Sequence, residues 1–432
     1  MAQYMMDILY SLTNCMFCFP GSPQLKINNR SFKILRLLGE GGFSYVYLVQ
    51  ETSTSQLYAL KKIRCPFGQE SVSLALKEVE AYTLFSPHPN IIHSVDYSVA
   101  PSNDRSDPGS KTVYILLPYY RRGNLQDAIN ANLVNHTKFP ERRLMILFLG
   151  VAKALKAMHQ YRVKGPPGGE RAQKKAKGVR AEAAAADEDT AREVQKKKNK
   201  RRERDREQGD IEQEPLMDGE VTRSQEGVAE GDIRAYAHRD IKPGNVPASF
   251  SFSAPHQHAN RTGNIMIADD GKTPILMDLG SLAPSPTPIT SRQLAITVQD
   301  TAAEHSTMPY RAPELFDVKT GSVIDTKVDI WSLGCTLYAC LVGKSPFEAR
   351  SEETGGSLTI CVLGGDWRFP DEGQRGGKSK AKAQPEEGVS ESVREVVRRC
   401  LRVEAAERPD VDELIELVEA VVAELPEDDG AE

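Results

Sequence analysis

The run His238-Arg239-Asp240-Ile241-Lys242-Pro243-Gly244-Asn245 sets a carboxylate, an ammonium two residues on and an amide five residues on within one short loop. That spacing offers three groups to one reaction: Asp240 as the base for a hydroxyl proton, Lys242 as a cation for a transferring phosphoryl group, and Asn245 as an oxygen ligand for a divalent metal. The Arg239 fork adds a planar donor set suited to phosphate. The exit of the loop is unusual, because Val246-Pro247-Ala248-Ser249 follows where an apolar strand is expected. Nineteen positions after Asn245 stands another asparagine, Asn264, which leads into the apolar run Ile265-Met266-Ile267-Ala268. Joining Gly244 directly to Asn264 would restore both the spacing and the strand. Back-translation of Gly244-Asn245-Val246 permits an intron donor, Ala259-Asn260 a branch sequence and Thr262-Gly263 an acceptor, so 245–263 is read as an unspliced intron. The metal ligand therefore has two candidates, Asn245 and Asn264.

Other residues complete the chemistry. Gly39-Glu40-Gly41-Gly42-Phe43-Ser44-Tyr45-Val46 is a glycine-rich turn between strand patterns, of the kind that lets backbone amides approach a phosphate, with Val46 placed to pack on a purine. Lys61 ends Tyr58-Ala59-Leu60-Lys61 at the distance from this turn that suits a lysine holding the α and β phosphates. Such a lysine needs a carboxylate to orient it. Glu78, in the helical stretch around Leu74 to Phe85, is the candidate and Glu80 the rival, since the helix register is fixed only to a residue or two. Asp278-Leu279-Gly280 follows the strand pattern Pro274-Ile275-Leu276-Met277 and supplies a second carboxylate with metal-binding chemistry.

These groups must be positioned by a small sheet and a larger helical part. From Phe32 the chain alternates as strands through Leu60, with a further strand from Thr112 to Leu117. Beyond Gly123 the period turns helical: Leu144, Leu147, Phe148, Val151, Leu155 and Met158 form one apolar face. Val411 to Leu425 reads as a closing amphipathic helix. Between them, residues 164–234 hold 17 Lys or Arg and 17 Asp or Glu among 71 residues with no aromatic residue. Such a stretch buries too little apolar surface to offset its ordering entropy and is read as a disordered insertion, with transient helix from Thr190 to Gln208. Its run Lys196-Lys197-Lys198-Asn199-Lys200-Arg201-Arg202 resembles a nucleic-acid patch, but interleaved acids cancel its field and no nucleic-acid partner is expected. Residues 371–388 read as an exposed loop.

Composition sets the class. The chain has 432 residues, 40% of them apolar and 27% charged, with a net charge of −5, which suits a globular enzyme with insertions rather than a nucleic-acid-coating protein. The seven cysteines show no framework spacing, so a reducing, intracellular setting is expected. No run approaches the apolar length of a membrane span.

Taken in order, these blocks resemble the eukaryotic protein kinases over Phe32 to Leu425, insertions set aside. Gly39-Glu40-Gly41-Gly42-Phe43-Ser44-Tyr45-Val46, Tyr236-Ala237-His238-Arg239-Asp240, Met277-Asp278-Leu279-Gly280-Ser281 and Tyr310-Arg311-Ala312-Pro313-Glu314-Leu315-Phe316 are similar to the Numb-associated kinase family, in the subgroup of serine/threonine kinase sixteen and its fungal relatives. The third glycine of the turn is Ser44, and Leu279 stands for a phenylalanine. The resemblance implies an α+β, two-lobed fold: a tail over 1–31, an antiparallel N-lobe over 32–118 with one helix, a mainly helical C-lobe over 121–425, and an acidic tail over 426–432. It implies ATP with Mg²⁺ or Mn²⁺, the nucleotide held by the turn with Ala59, Lys61, Leu117, Pro118 and Tyr120. It also implies protein serine or threonine hydroxyls as substrates, for which Lys242 is the typical residue.

Structural roles are implied for Glu314 with Arg408 as a buried ion pair, and for Asp329 as an anchor of the catalytic loop. A phosphate on the segment between Gly280 and Ala312 could engage Arg239, with Thr297, Thr301, Ser306 and Thr307 as unranked sites. The subgroup is attached to Golgi or vacuolar membranes by lipidated N-terminal residues, which gives Cys15 and Cys18 a role as S-acylation sites on the cytoplasmic face of an endomembrane. Met1-Ala2 lacks the glycine needed for myristoylation. Two functional readings stand, an active serine/threonine kinase and a pseudokinase scaffold motivated by Ser44, Leu279 and residues 245–263. Lys61, Glu78, Asp240 and Asp278 are all in place, which favours the enzyme. Oligomeric state is not legible.

Overall fold

Alternating side chains build a six-stranded antiparallel sheet in the order β1-β2-β3-β4-β6-β5: β1 (Gln24–Ile27), β2 (Arg30–Glu40), β3 (Ser44–Glu51), β4 (Leu57–Cys65), β5 (Asp96–Pro101) and β6 (Lys111–Pro118). The computed structural model describes residues 24–40, 44–101, 110–162, 233–244, 263–373 and 388–427. β1 pairs with β2 from Gln24 opposite Lys33 to Ile27 opposite Arg30, so the sheet begins inside the stretch read as a tail. Register decides which residues share a face. Val46 lies opposite Lys61, Lys61 opposite Ile115 and Ala59 opposite Leu117, which places Val46, Ala59, Lys61 and Leu117 on one side. The other side buries Phe32, Val49, Tyr58, Leu60 and Leu116 in a separate apolar cluster.

Helix α1 (Gly68–Leu84) packs on this sheet through Val72, Ala75, Val79 and Tyr82, and the same buried stripe carries Glu78. It starts six residues before Leu74, because Gln69, Glu70 and Ser71 of its first turn give no apolar periodicity to read. Glu80 is exposed.

The helical part begins with α2 (Leu125–Asn135), whose Asn124 and Asp127 form a reciprocal capping box. Helix α3 (Glu141–His159) buries the expected face from Leu144 to Met158 and adds His159 in its last turn. Strand β7 (Ile233–Ala237) leads to His238-Arg239-Asp240, and the hairpin β8 (Ile265–Ile267) with β9 (Pro274–Leu276) brings Asn264 and Met277 together. After β10 (Ala283–Ser285), which pairs with β7, and β11 (Thr287–Pro288), which pairs with β12 (Val323–Ile324), comes α4 (Arg292–His305). Helix α5 (Lys327–Val342) is buried from Val328 through Cys340, as expected of a helix apolar all round. Helices α6 (Pro346–Thr354), α7 (Leu358–Gly364), α8 (Glu391–Cys400) and α9 (Val411–Glu424) follow, α9 packing on α3. The described elements outside 162–234 belong to one compact unit, an α+β chain of two lobes.

Residues 371–373 continue a short 3₁₀ turn, Pro370–Gly373, with Asp371 gripped by Arg394 through Nη1 at 2.9 Å and Nη2. The helix read over Thr190 to Gln208, and nearly all of 164–234, lie outside the described residues, as do 374–387. No helix among the described residues is long and apolar enough to cross a membrane.

Candidate active site

Two clusters of polar side chains meet at Met277, whose amide donates to Asn264 O and whose carbonyl bonds His238 Nε2. In the first, β4 presents Lys61 and α1 presents Glu78, and Lys61 Nζ lies 2.6 Å from Glu78 Oε1 and 3.3 Å from Asp278 Oδ1. Glu78 rather than Glu80 is therefore the partner. Burial pulls the Lys61 ammonium down, but the facing Asp278 and Glu78 carboxylates more than offset this and its pKa is raised. Asp278 is lowered in turn, chiefly by the charge of Lys61, and its side chain keeps 45% of its surface open. A carboxylate both ionised and accessible is suited to a hard divalent cation. Asp278 has φ 58°, in the left-handed region, a conformation that turns the chain sharply after β9.

The second cluster surrounds Asp240. Its Oδ1 accepts from the Thr307 amide at 2.9 Å and the Thr307 hydroxyl at 2.8 Å, while Oδ2 accepts from Lys242 Nζ at 2.7 Å and Asn264 Nδ2 at 2.8 Å. Asn264 Nδ2 also donates to the Asp240 carbonyl, and Asn264 O accepts from Met277 N at 2.7 Å. Lys242 Nζ donates to Thr307 Oγ1 at 2.5 Å. Four donors fix the carboxylate in one orientation. Gly244 and Gly263 lie against the same side chain, since a Cβ on Gly244 would stand 3.2 Å from Asn124 Nδ2 and one on Gly263 2.6 Å from the same atom.

The loop beneath is anchored by Asp329, fully buried in the first turn of α5. Its Oδ2 accepts from His238 N at 2.8 Å and His159 Nε2 at 2.9 Å, and its Oδ1 from Arg239 N at 2.8 Å. Burial would raise this carboxyl, yet these donors hold it below its ordinary value. The same bonds stabilise Arg239 at φ 69°, which directs Asp240 into the cleft. His238 adds a bond from Nε2 to the Met277 carbonyl at 2.9 Å, tying the loop to the residue before Asp278.

Arg239 Nη2 donates to Thr287 Oγ1 at 3.1 Å. Of the four hydroxyls considered for phosphate, Thr297 and Thr301 lie on α4 and donate to the carbonyls four residues back. Ser306 is buried against Arg311, and Thr307 is part of the Asp240 cluster. Glu314 and Arg408 form the expected pair, Nη1 to Oε1 at 2.7 Å and Nη2 to Oε2 at 2.8 Å.

Of the residues expected to hold a nucleotide, Gly39 lies opposite Val46 across β2 and β3, Ala59 and Leu117 are buried, and Pro118 and Tyr120 are half-buried. Gly41, Gly42, Phe43, Asn245, Cys15 and Cys18 lie outside the described residues. Sequence reading did not assign His159, Tyr82 or the contact of Thr307 with Asp240. For Tyr82 the available signal was its place one helical turn after Glu78. Among the described residues no three His, Cys, Asp or Glu side chains cluster as a metal site. A cation here would take Asp278 and an amide oxygen and complete its shell from elsewhere.

A model of the protein kinase domain matches residues 32–164 and 233–418. The chain is 32% identical over 427 residues to "Serine/threonine-protein kinase ENV7" of Saccharomyces cerevisiae, covering 96% of this chain and 99% of that one. It is 31% identical to "Serine/threonine-protein kinase ppk13" of Schizosaccharomyces pombe, with 91% of each chain covered. "Serine/threonine-protein kinase 16" of Homo sapiens is 27% identical, with 93% of each covered.

Proposed function

The chain belongs to the protein kinase family and is an ATP-dependent serine/threonine kinase acting on proteins, and from that premise we propose that Asp240 is its base, with Lys61, Glu78, Lys242, Asp278 and Asn264 as the groups that place the reactants. The observation that carries this assignment is the convergence of the Lys61–Glu78–Asp278 cluster with the four-donor cluster on Asp240.

In this reading the substrate hydroxyl gives its proton to Asp240 as its oxygen bonds to the γ-phosphorus of ATP. The bond from that phosphorus to the β–γ bridging oxygen breaks, and ADP leaves. Lys242, 2.7 Å from the base, offsets the charge that gathers on the transferring group. Lys61 holds the α and β phosphates, and Glu78 fixes its direction. Val46, Ala59 and Leu117 give the purine an apolar seat, with the Pro118 carbonyl and the Tyr120 amide as its polar contacts. Gly39, Glu40, Gly41, Gly42, Phe43 and Ser44 cover the phosphates. A divalent metal, Mg²⁺ in the first instance, fits the open Asp278 carboxylate and the Asn264 amide oxygen and would neutralise phosphate charge there. Asn264 is preferred to Asn245 because its amide nitrogen already bonds the base and its carbonyl is tied to Met277. Asp329 and the Glu314–Arg408 pair hold the scaffold, and a phosphate near Arg239 would strengthen it.

Cys15 and Cys18, amid Met16, Phe17 and Phe19, are proposed as S-acylation sites that hold the kinase on the cytoplasmic face of a Golgi or vacuolar membrane. Two acyl chains suffice for stable attachment where one is marginal. Radiolabelled phosphate transfer to a generic protein substrate tests the catalytic assignment: Lys61→Met should abolish it, and transfer equal to that of the unmodified chain would overturn the role of Lys61. Cys15→Ser with Cys18→Ser should move the protein to the soluble fraction and leave transfer unchanged. Persistence on membranes would refute the anchor.

A further inference from the structure

One buried hydroxyl bears on the Lys61–Glu78 pair without belonging to it. Tyr82 stands one turn after Glu78 on the inward stripe of α1 and is 1% exposed. Its hydroxyl donates to Glu78 Oε1 at 2.6 Å, the same oxygen that Lys61 Nζ reaches at 2.6 Å. Burial, with the Glu78 and Asp278 charges, raises the phenol pKa well above its ordinary value, so the hydroxyl stays protonated and donates across the working range of pH. Leu279, buried in the turn after Asp278, belongs to the same apolar core as Tyr82. A Cβ on Gly280 would stand 3.7 Å from Glu78 Oε2, so the Asp278-Leu279-Gly280 turn closes over the second carboxylate oxygen.

We propose that Tyr82 is a positioning residue for phosphoryl transfer: its hydroxyl fixes Glu78 Oε1 from the helix side and so aims Lys61 at the nucleotide phosphates. The inference rests on the nucleotide role assigned above to Lys61 and Glu78. A glutamate on a helix, with three side-chain torsions, can swing away from a lysine when no phosphate is bound, and the single bond donated by Lys61 leaves that rotation open. A charge-assisted bond to a rigid, buried phenol removes it, because Tyr82 is locked by its packing. Helix α1 also packs against the Leu279–Ser281 turn that follows Asp278.

The test is a double-mutant cycle with Tyr82→Phe and Glu78→Gln in the full chain, reading the KM for ATP and kcat separately, with a thermal melt of each variant. Tyr82→Phe keeps the ring and removes only the donor. It should raise the KM for ATP about tenfold, with kcat changed less, while in the Glu78→Gln background it should add nothing. A KM for Tyr82→Phe within twofold of the unmodified chain would overturn the proposal, as would an equal effect in both backgrounds, which is the signature of packing alone. Absence of ATP-dependent transfer in the unmodified chain would instead overturn the reading on which it rests. Should Tyr82→Phe prove unstable, calorimetric affinity of the folded fraction for a non-hydrolysable ATP analogue gives the same comparison.

Discussion

Arg408 offers the stability prediction whose magnitude follows most directly from geometry. Its side chain is 0% exposed, and all five guanidinium hydrogens have acceptors. Nε donates to Arg402 O at 2.8 Å, Nη1 to Glu314 Oε1 at 2.7 Å and Lys327 O at 3.0 Å, and Nη2 to Glu314 Oε2 at 2.8 Å and Val403 O at 2.9 Å. The guanidinium also lies 4.9 Å from the centre of the Trp331 ring. Arg408→Met retains an apolar stem and donates nothing, so three carbonyls lose their partner and Glu314 loses its counter-charge. Removing one member of a buried pair costs about 3–5 kcal/mol. Glu314 is 21% exposed and regains some hydration, which places the loss near 4 kcal/mol by the same scale. At roughly 2–3 °C per kcal/mol for a domain of this size, the melting temperature should fall about 8–12 °C. Arg408→Lys keeps the charge but cannot reproduce the fork, and should recover less than half of the loss. Circular dichroism melts measure both. A melting temperature for Arg408→Met within about 2 °C of the unmodified chain would refute the reasoning.

Further outcomes follow from the two asparagines and from the sheet edge. Asn264→Ala should reduce phosphoryl transfer on the order of a hundredfold, and Asn245→Ala should leave it unchanged; the reverse order in a steady-state assay would restore Asn245 as the ligand. Peptides spanning Pro247 to Arg261 in the native protein, sought by mass spectrometry, would refute the intron reading of 245–263. Glu51 is held near pKa 2, against an ordinary 4.5, chiefly by the Arg30 hydrogen bond at 2.6 Å. A lowered carboxyl contributes stability that is present above 4.5 and lost as pH falls toward 2. Arg30→Met should therefore lower stability by its full amount above pH 4.5 and by progressively less as pH falls toward 2; a loss that failed to shrink on acidification, in denaturant titrations at successive pH values, would contradict this.

Much of the site could be read before the fold was known, for a definite reason. Asp240, Lys242 and Asp278 are set in short local patterns, and Lys61 stands in a strand, β4, that a helix with candidate carboxylates follows. Glu78 against Glu80 could not be decided locally, since the choice depends on which face of α1 meets the sheet. The same holds for Tyr82 and His159. Each acts through a contact made in three dimensions, and neither changes the apolar pattern of its helix. Helix α4 was missed because its buried residues are Ala295, Val298 and Ala302, too small to stand out as an apolar stripe. The loop around Asp240 looked broken at Asn245, and the β8–β9 hairpin places Asn264 beside the Asp240 carboxylate.

The most direct test of the account compares phosphate transfer to serine and threonine hydroxyls by the unmodified chain and by Asp240→Asn, at matched folded fraction. Asparagine keeps the size of the side chain and cannot take a proton. The account predicts transfer by the unmodified chain and a fall of about 10²–10⁴-fold in the variant, with ATP affinity retained. Equal rates from the two proteins would contradict it.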